Sequence, residues 1–162
     1  MFNRILVGFD GSAPARHAVH AATEIAARFH AALTIAYVRP ASSVPRDALL
    51  ESLVPLADEG KAFGVVVEEV RAKAVAQGAV AVESVMLEGD VVETLLAWID
   101  HHHQDLVIVG SRGLSRGRRL LLGSVSSGLV NRAPCPVLVV RAVRDHHARA
   151  EGHAGSTERA GI

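Results

Sequence analysis

The sequence predicts a single α/β domain in which a five-stranded parallel sheet carries helices on both faces. Short apolar runs alternate with helical periodicities along the chain, which is the pattern of right-handed strand-helix-strand units. The length of 162 residues suits one compact core. Hydrophobic residues make up 49% of the chain and aromatic residues only 4%, so Ala, Val, Leu and Ile must fill that core. This composition favours helices packed on a buried, Val-rich sheet.

The first strand-helix-strand unit is evident near the N-terminus. Residues 4–9 form an apolar run that ends at the turn Asp10-Gly11-Ser12, where Ser12 is placed to cap a helix. A second strand over residues 32–38 follows that helix directly. Within the helix, apolar residues recur on one stripe of a 3.6-residue period, namely Ala18, Ala22, Ile25, Ala26 and Phe29.

The middle of the chain predicts a loop, a helix and the third strand. Three prolines lie within residues 39–56, which favours a mobile loop able to act as a lid. Residues 57–77 predict a helix weakened by two glycines, and residues 80–87 predict a strand. Asp90 and Glu93 then form a helix-start signal related to the capping box. The helix that they start is expected to bury Val92, Leu95, Leu96 and Ile99.

The last two strands are wholly apolar runs, at residues 106–109 and 137–140, with a glycine-rich loop and one helix between them. Beyond them the chain loses its periodicity, so we expect the domain to cover residues 1–144 and a disordered tail to cover residues 145–162. Unless it is covered, the strand Val137–Val140 is an apolar edge of the sheet, which favours pairing with another chain. We therefore expect a homodimer.

Charge and composition exclude several classes of protein. Lys and Arg number 17 and so do Asp and Glu, which removes the global argument for binding nucleic acid or an anionic membrane surface. The sequence contains no apolar run near the roughly 20 residues that a membrane-spanning helix needs. The N-terminus has no signal-peptide pattern, and the single cysteine, Cys135, cannot form an internal disulfide. We expect a cytoplasmic protein with no nucleic-acid or membrane partner.

The loop after Val109 has the composition of an anion-binding site. In parallel sheets, ligands bind beyond the carboxyl ends of the strands, where the strand order reverses. Glycines in this loop let backbone N–H groups converge, and Ser124, Ser126 and Ser127 stand at the start of the final helix. Residues 106–144 also contain seven arginines and no aspartate or glutamate. The loop predicts a phosphate site, with a glycine-rich turn and solvated arginines as the alternative.

Two well-known phosphate-binding motifs are absent. A Walker A loop needs a lysine after its second glycine, but the lysines of this chain are Lys61 and Lys73, far from the loop. The dinucleotide fingerprint would need a third glycine after Gly8 and Gly11, and the sequence lacks it.

The sequence instead resembles the universal stress protein family, whose ATP-binding branch carries Gly, two residues, Gly, nine residues, then Gly followed by Ser or Thr. Gly110, Gly113, Gly123 and Ser124 match that spacing. The opening Ile-Leu-Val-Gly-Phe-Asp-Gly-Ser and the closing Ala-Pro-Cys-Pro-Val-Leu-Val-Val also resemble the family, so the similarity covers residues 3–141. It implies a Rossmann-like fold of the adenine nucleotide alpha-hydrolase type, with dimers joined through their last strands.

The resemblance further implies which residues meet the nucleotide. Asp10 would lie beside the phosphates and their Mg²⁺, although an Asp-Gly turn is the alternative role for this residue. The backbone at Val38 would contact adenine. The residues implied in ATP binding are Asp10, Gly11, Ser12, Val38, Val109, Gly110, Ser111, Arg112, Gly113, Gly123, Ser124, Val125 and Ser126.

The function that follows is a nucleotide-dependent sensor or regulator of the stress response, which binds ATP with Mg²⁺ and acts on an unknown protein partner. A slow ATP hydrolase is one alternative, although residues 110–128 offer serines and arginines rather than a base. A protein-interaction module that binds AMP, cyclic AMP or no nucleotide is another. Glycine amides and serine hydroxyls accept any phosphate, so the sequence leaves these ligands open.

Three other features predict structural roles. His101, His102 and His103 point about 100° apart on a helix, so they are expected near its C-terminal dipole rather than around one metal ion. Cys135 is expected to pack in the core, and Trp98 to lie in the core or an interface.

Overall fold

The computed structural model of the chain describes residues 1–39, 61, 63–69, 71–73, 76, 81–113 and 122–141. Residues 63–69 and 71–73 are helical, within the helix predicted between the second and third strands. The predicted lid beyond Arg39 and the predicted tail lie outside the described residues. The other elements are β1 (Arg4–Gly8), α1 (Ala13–Phe29), β2 (Ala32–Arg39), β3 (Ala81–Glu88), α2 (Val91–His101), β4 (Leu106–Gly110), α3 (Ser124–Arg132) and β5 (Val137–Val140).

The five strands form one parallel sheet in the order β3-β2-β1-β4-β5. The chain first builds outward from β1 to β2 and β3, and then returns to place β4 on the other side of β1. The strand order therefore reverses between β1 and β4, and a crevice is expected at their carboxyl ends. This topology confirms the predicted fold class.

Two apolar layers cover the two faces of the sheet. In β1, Ile5 and Val7 belong to the layer beneath α1, whereas Leu6 belongs to the layer beneath α2 and α3, and all three side chains are fully buried. Phe63 and Val67 extend the α1 layer from the helical segment before β3. Alternation along a strand that is buried on both sides confirms the prediction of helices on both faces.

The helices α1 and α2 begin with side-chain caps that the sequence predicted. The Ser12 hydroxyl accepts a hydrogen bond from the amide of Ala15 at 3.2 Å. Asp90 accepts two bonds, from the amides of Val92 and Glu93, at 3.0 Å each. Glu93 does not return a bond to the cap as in a full capping box, because its carboxylate forms a bidentate ion pair with Arg132 of α3.

None of the helices in the described part of the chain combines the length and the apolar character that spanning a bilayer requires.

Candidate functional site

A cleft of about 420 Å³ opens at the carboxyl ends of β1, β2 and β4, at the point where the strand order reverses. This volume falls within the roughly 300–1,000 Å³ typical of small-molecule sites. The position is the one that the sheet topology predicts for a ligand.

Most of the residues that the sequence predicted for the site line this cleft. β1, β2 and β4 bring one group of them to the edge of the sheet, and the loop and first turn of α3 bring the second. They are Asp10, Val38, Val109, Gly110, Arg112, Gly113, Gly123, Ser124, Val125 and Ser126.

Three predicted site residues, Gly11, Ser12 and Ser111, lie outside the cleft lining. Gly11 has a φ of 81°, which makes it the turn residue between β1 and α1. Ser12 is occupied as the cap of α1. Ser111 is buried, and its amide donates to the carbonyl of Val140 at 2.7 Å. These three residues therefore have structural roles next to the cleft and do not line it.

The two ends of the glycine-rich loop are joined by a backbone hydrogen bond. The amide of Gly123 donates to the carbonyl of Ser111 at 2.8 Å. A Cβ placed on Gly123 would lie 3.4 Å from the Cα of Arg112 and 3.8 Å from the amide nitrogen of Gly113. Gly113 and Gly123, which are separated by nine residues in the sequence, therefore lie close together at one rim of the cleft.

Gly110 and Gly113 are positions where a side chain has no room. A Cβ on Gly110 would lie 2.8 Å from backbone atoms of Pro14 and Ala15, because the end of β4 passes directly against the start of α1. A Cβ on Gly113 would lie 2.5 Å from Oδ2 of Asp10. Both glycines allow the backbone to approach a neighbour closely. At Gly113, the absence of a side chain leaves room for the Asp10 carboxylate.

The N-terminus of α3 provides the hydrogen-bond donors of the cleft. Its N-cap is Gly123, and among the described residues no side chain caps it, so the first amides of the helix keep the free N–H groups that a helix start leaves. The Ser124 side chain is exposed at this end. Ser126 is buried, and its hydroxyl hydrogen-bonds to the carbonyls of Gly123 and Ser111 at 3.0 and 3.3 Å. Backbone amides and Ser124, rather than the Ser126 hydroxyl, are therefore the donors that this helix start can offer.

Asp10 and Arg112 are the charged side chains among the described residues that line the cleft. Oδ1 of Asp10 accepts a hydrogen bond from the amide of Ser12 at 2.9 Å, which closes the Asp-Gly turn. Its other carboxylate oxygen lies against Gly113. Asp10 thus shapes the turn and also brings one carboxylate oxygen to the glycine-rich rim.

A single carboxylate fits a metal that arrives with its ligand. Mg²⁺ is commonly held by one or two carboxylates together with substrate phosphates and water. The described residues contain no group of three His, Cys, Asp or Glu side chains that could hold a metal ion on its own. Asp10 can therefore supply one ligand to a divalent cation whose other ligands come from a bound molecule.

The apolar wall of the cleft contains residues that the sequence did not predict for the site. The end of β2 and the first turns of α2 contribute most of it, and Phe9, the residue after β1, completes it. The expectation that ligands meet the carboxyl ends of strands points to the strand residues, and the i, i+4 pair in α2 is a weaker signal. The additional lining residues are Gly8, Phe9, Ala15, Ala36, Tyr37, Val91 and Leu95.

The histidine run lies away from the cleft, at the C-terminal end of α2. The His102 ring stacks on Trp98 with centroids 3.6 Å apart, and its Nδ1 lies 3.1 Å from the carbonyl of Trp98. Trp98 packs on the apolar layer beneath α2 and α3, as does Cys135. Burial raises the pKa of the Cys135 thiol, which disfavours the reactive thiolate.

Residues 1–141, which span all five strands, match the family model described as the Universal stress protein family. Universal stress protein YxiE of Bacillus subtilis is 33% identical over 149 residues, which cover 87% of this chain and 100% of the relative. The solved structure of universal stress protein UspA from Lactobacillus plantarum is 30% identical, with a TM-score of 0.77 over 86% of this chain and 98% of that one. A universal stress protein solved in complex with cAMP is 31% identical, with a TM-score of 0.65 over 88% and 99% of the two chains.

Proposed function

We propose that this chain, which belongs to the universal stress protein family, binds ATP in the cleft and reports the bound nucleotide to a protein partner. The observation that carries this proposal is the pairing of an apolar wall with an uncapped helix start in one cleft. An adenine nucleotide has the same two-part character, a flat base at one end and an anion at the other.

The two ends of the cleft differ in chemistry, and this difference would orient a bound nucleotide. Val38, Val91 and Leu95 form an apolar wall suited to a base, and the backbone of Val38 offers its polar groups at the end of β2. Gly113 and the first turn of α3 suit the phosphates, because free amides and a helix dipole favour an anion. The relative solved with cAMP supports a ligand with a base and a phosphate.

ATP with Mg²⁺ is the form that suits the charges at the glycine-rich rim. The Asp10 carboxylate repels a bare phosphate, but it attracts a phosphate chain that carries a divalent cation. When bound, Mg²⁺ screens the charge of the triphosphate. Asp10 would hold it from the protein side, and the α3 amides would bind phosphate oxygens.

Cyclic AMP is the second candidate, since a relative 31% identical to this chain was solved in complex with it. A ligand with one phosphate would use the α3 amides without needing Mg²⁺. Dependence of the affinity on Mg²⁺ therefore separates the two candidates.

We expect binding without rapid turnover. Efficient hydrolysis needs a group that positions or deprotonates the attacking water. At the glycine-rich end, Asp10 is the one carboxylate that lines the described part of the cleft, and its Oδ1 already accepts the Ser12 amide. Slow ATP hydrolysis is the enzymatic alternative, and an interaction module without nucleotide is the non-enzymatic one.

We also propose a homodimer in the cytoplasm, joined through β5. This strand lies at the end of the sheet order, and Leu138 within it is 39% exposed. Pairing across a two-fold axis would bury both the free backbone groups and the apolar side chains of this edge. The Leu138→Lys variant should sediment as a monomer in analytical ultracentrifugation, whereas a wild-type monomer would overturn the proposal.

The test of the nucleotide proposal is mass spectrometry of the small molecules that the purified protein retains, followed by calorimetric titration. ATP, AMP and cyclic AMP are titrated with and without Mg²⁺, and phosphate release is followed over many turnovers. Tight, Mg²⁺-dependent ATP binding without turnover supports the proposal. Preference for cyclic AMP, sustained hydrolysis or no binding would each replace it with the corresponding alternative.

A further inference from the structure

Three aromatic rings form a cluster next to the cleft. The ring of Phe63 stacks on that of Phe9, with centroids 5.9 Å apart and an interplanar angle of 29°. The same Phe63 ring lies against Tyr37, with centroids 5.6 Å apart and an angle of 35°. Both distances are within the range of favourable aromatic pairs. One ring from a helical segment therefore touches two rings at the edge of the sheet.

The backbone holds Phe9 and Tyr37 beside each other. Gly8 is paired with Ala36 in the parallel register of β1 and β2. One residue later, the Phe9 amide donates to the carbonyl of Ala36 at 2.9 Å. The two ring-bearing residues thus leave neighbouring strands at the same height, but their backbones do not determine the orientation of the rings.

Phe63 lies behind this pair and not in the cleft. Phe9 and Tyr37 line the cleft, whereas Phe63 is absent from its lining and is 5% exposed. The Phe63 ring therefore packs on two residues of the cleft lining without belonging to the lining itself. In a dense interior, removing a packing partner lets a side chain reach other orientations.

We infer that Phe63 is a positioning residue for the base end of the cleft, because its ring packs on those of Phe9 and Tyr37, which line the cleft beside Val38. This inference rests on the proposed function. It assigns to the helical segment before β3 a part in ligand affinity, although the segment itself does not touch the ligand.

Val67 provides the matched control within the same segment. It lies four residues after Phe63, belongs to the same apolar layer and is 4% exposed. Like Phe63, it is absent from the cleft lining. Truncating Val67 weakens the packing of the segment without removing a ring from the aromatic cluster.

The experiment compares the Phe63→Leu and Val67→Ala variants with the wild-type chain. Phe63→Leu keeps apolar bulk, so the segment can still pack, and thermal melting establishes the temperature at which all three proteins are folded. Calorimetry then measures the affinities for ATP, adenosine and inorganic pyrophosphate. We expect Phe63→Leu to lower the affinities for ATP and for adenosine by the same factor, roughly two- to tenfold. The affinity for pyrophosphate should stay unchanged. Val67→Ala should leave all three affinities at the wild-type values.

Tyr37 is the one tyrosine in the sequence, so it gives a direct signal for the positioning of its ring. In NMR spectra of protein labelled in its tyrosine rings, the single set of ring signals should move in Phe63→Leu and stay in place in Val67→Ala. Adenosine should move the same signals in the wild type.

The outcomes separate this inference from the proposed function. If the wild type binds neither ATP nor adenosine, the proposed function fails and this inference fails with it. If the wild type binds both, but Phe63→Leu binds them as tightly as the wild type or Val67→Ala weakens them equally, the inference alone is overturned.

Discussion

Two helices begin at the rim of the cleft, α1 after β1 and α3 after β4. They differ in how the amides of their first turns are capped. At α1, the Ser12 hydroxyl accepts the amide of Ala15, so one free N–H group is used inside the protein. At α3, the cap residue is Gly123 and provides no side-chain acceptor. Both helix starts present the positive end of a dipole, but within the described residues the start of α3, unlike that of α1, has no side-chain cap.

The charge at the two helix starts differs in the same sense. Asp10 stands before α1 and contributes a negative charge at its entrance. The start of α3 has no acidic residue in its first turn. An anion is therefore expected at α3, while a cation that accompanies it is expected between α3 and Asp10. In the proposed function, cap chemistry as well as the helix dipole would therefore decide which helix start binds the phosphates.

The largest expected effect comes from the place where the two regions touch. In Gly110→Ala, the new Cβ would lie 2.8 Å from the backbone of Pro14 and Ala15 at the start of α1. Backbone cannot move aside as a flexible side chain can, so we expect a loss of about 3 kcal/mol in the free energy of unfolding. Urea denaturation measures it.

Gly64→Ala is the control for that substitution. Gly64 is an exposed, helical position at which a Cβ would meet nothing within 4 Å. This variant should gain about 0.5–1 kcal/mol from helix propensity. A Gly110→Ala protein as stable as the wild type would show that β4 and α1 are not in close contact.

Gly123→Asp turns the start of α3 into a capped and acidic one, like that of α1. Gly123 has φ −73° and ψ 167°, so aspartate fits without backbone strain. Its carboxylate should accept a first-turn amide and repel a phosphate, which lowers ATP affinity about tenfold or more. Gly123→Asn introduces a cap without a charge, so its ATP affinity should fall less, by about threefold. Calorimetry that finds wild-type affinity in both variants would place the phosphates elsewhere.

Ser12→Ala removes the cap of α1 and tests the other region. We expect it to lower the free energy of unfolding by about 1 kcal/mol, the usual value of an N-cap. Since Ser12 lies outside the cleft lining, the ATP affinity measured well below the melting temperature should change less than twofold. A larger loss of affinity would mean that α1 also binds the phosphates.

The smallest expected effect on stability concerns α2. Asp90 caps the start of this helix, and Glu93 forms an ion pair with Arg132 at the end of α3. The Arg132 guanidinium lowers the pKa of Glu93 from its usual 4.5. A lowered pKa stabilises the fold above pH 4.5, and this contribution disappears as the pH falls through the lowered pKa. Both side chains are exposed, so the effect should be small.

Arg132→Gln should therefore be slightly less stable than the wild type at neutral pH. The difference in urea midpoint should shrink when both proteins are compared at increasingly acid pH, below about 4.5. A difference that persists unchanged in acid would assign the stability of this contact to packing rather than to charge.

The helix starts also show which features of this site could be predicted from the sequence. Caps at Ser12 and Asp90 follow from local patterns, and both are present in the structure. The partners of Ser126 are less evident from the sequence. Its position at the start of a helix indicated a phosphate donor, but its buried hydroxyl bonds the carbonyls of Gly123 and Ser111. Ser111 lies fifteen residues earlier, and no local pattern predicts that partner.

By itself, the sequence determined the strands, the helices and the glycine spacing of the loop, because these depend on periodicity and backbone freedom within a few residues. The tertiary structure decided which strands are neighbours and so where the cleft opens. It also decided that Phe9, Tyr37, Val91 and Leu95 form the apolar wall and that Phe63 packs behind it. Those contacts join segments far apart in the chain, and they arise only when burial of both faces of the sheet fixes the order of its strands.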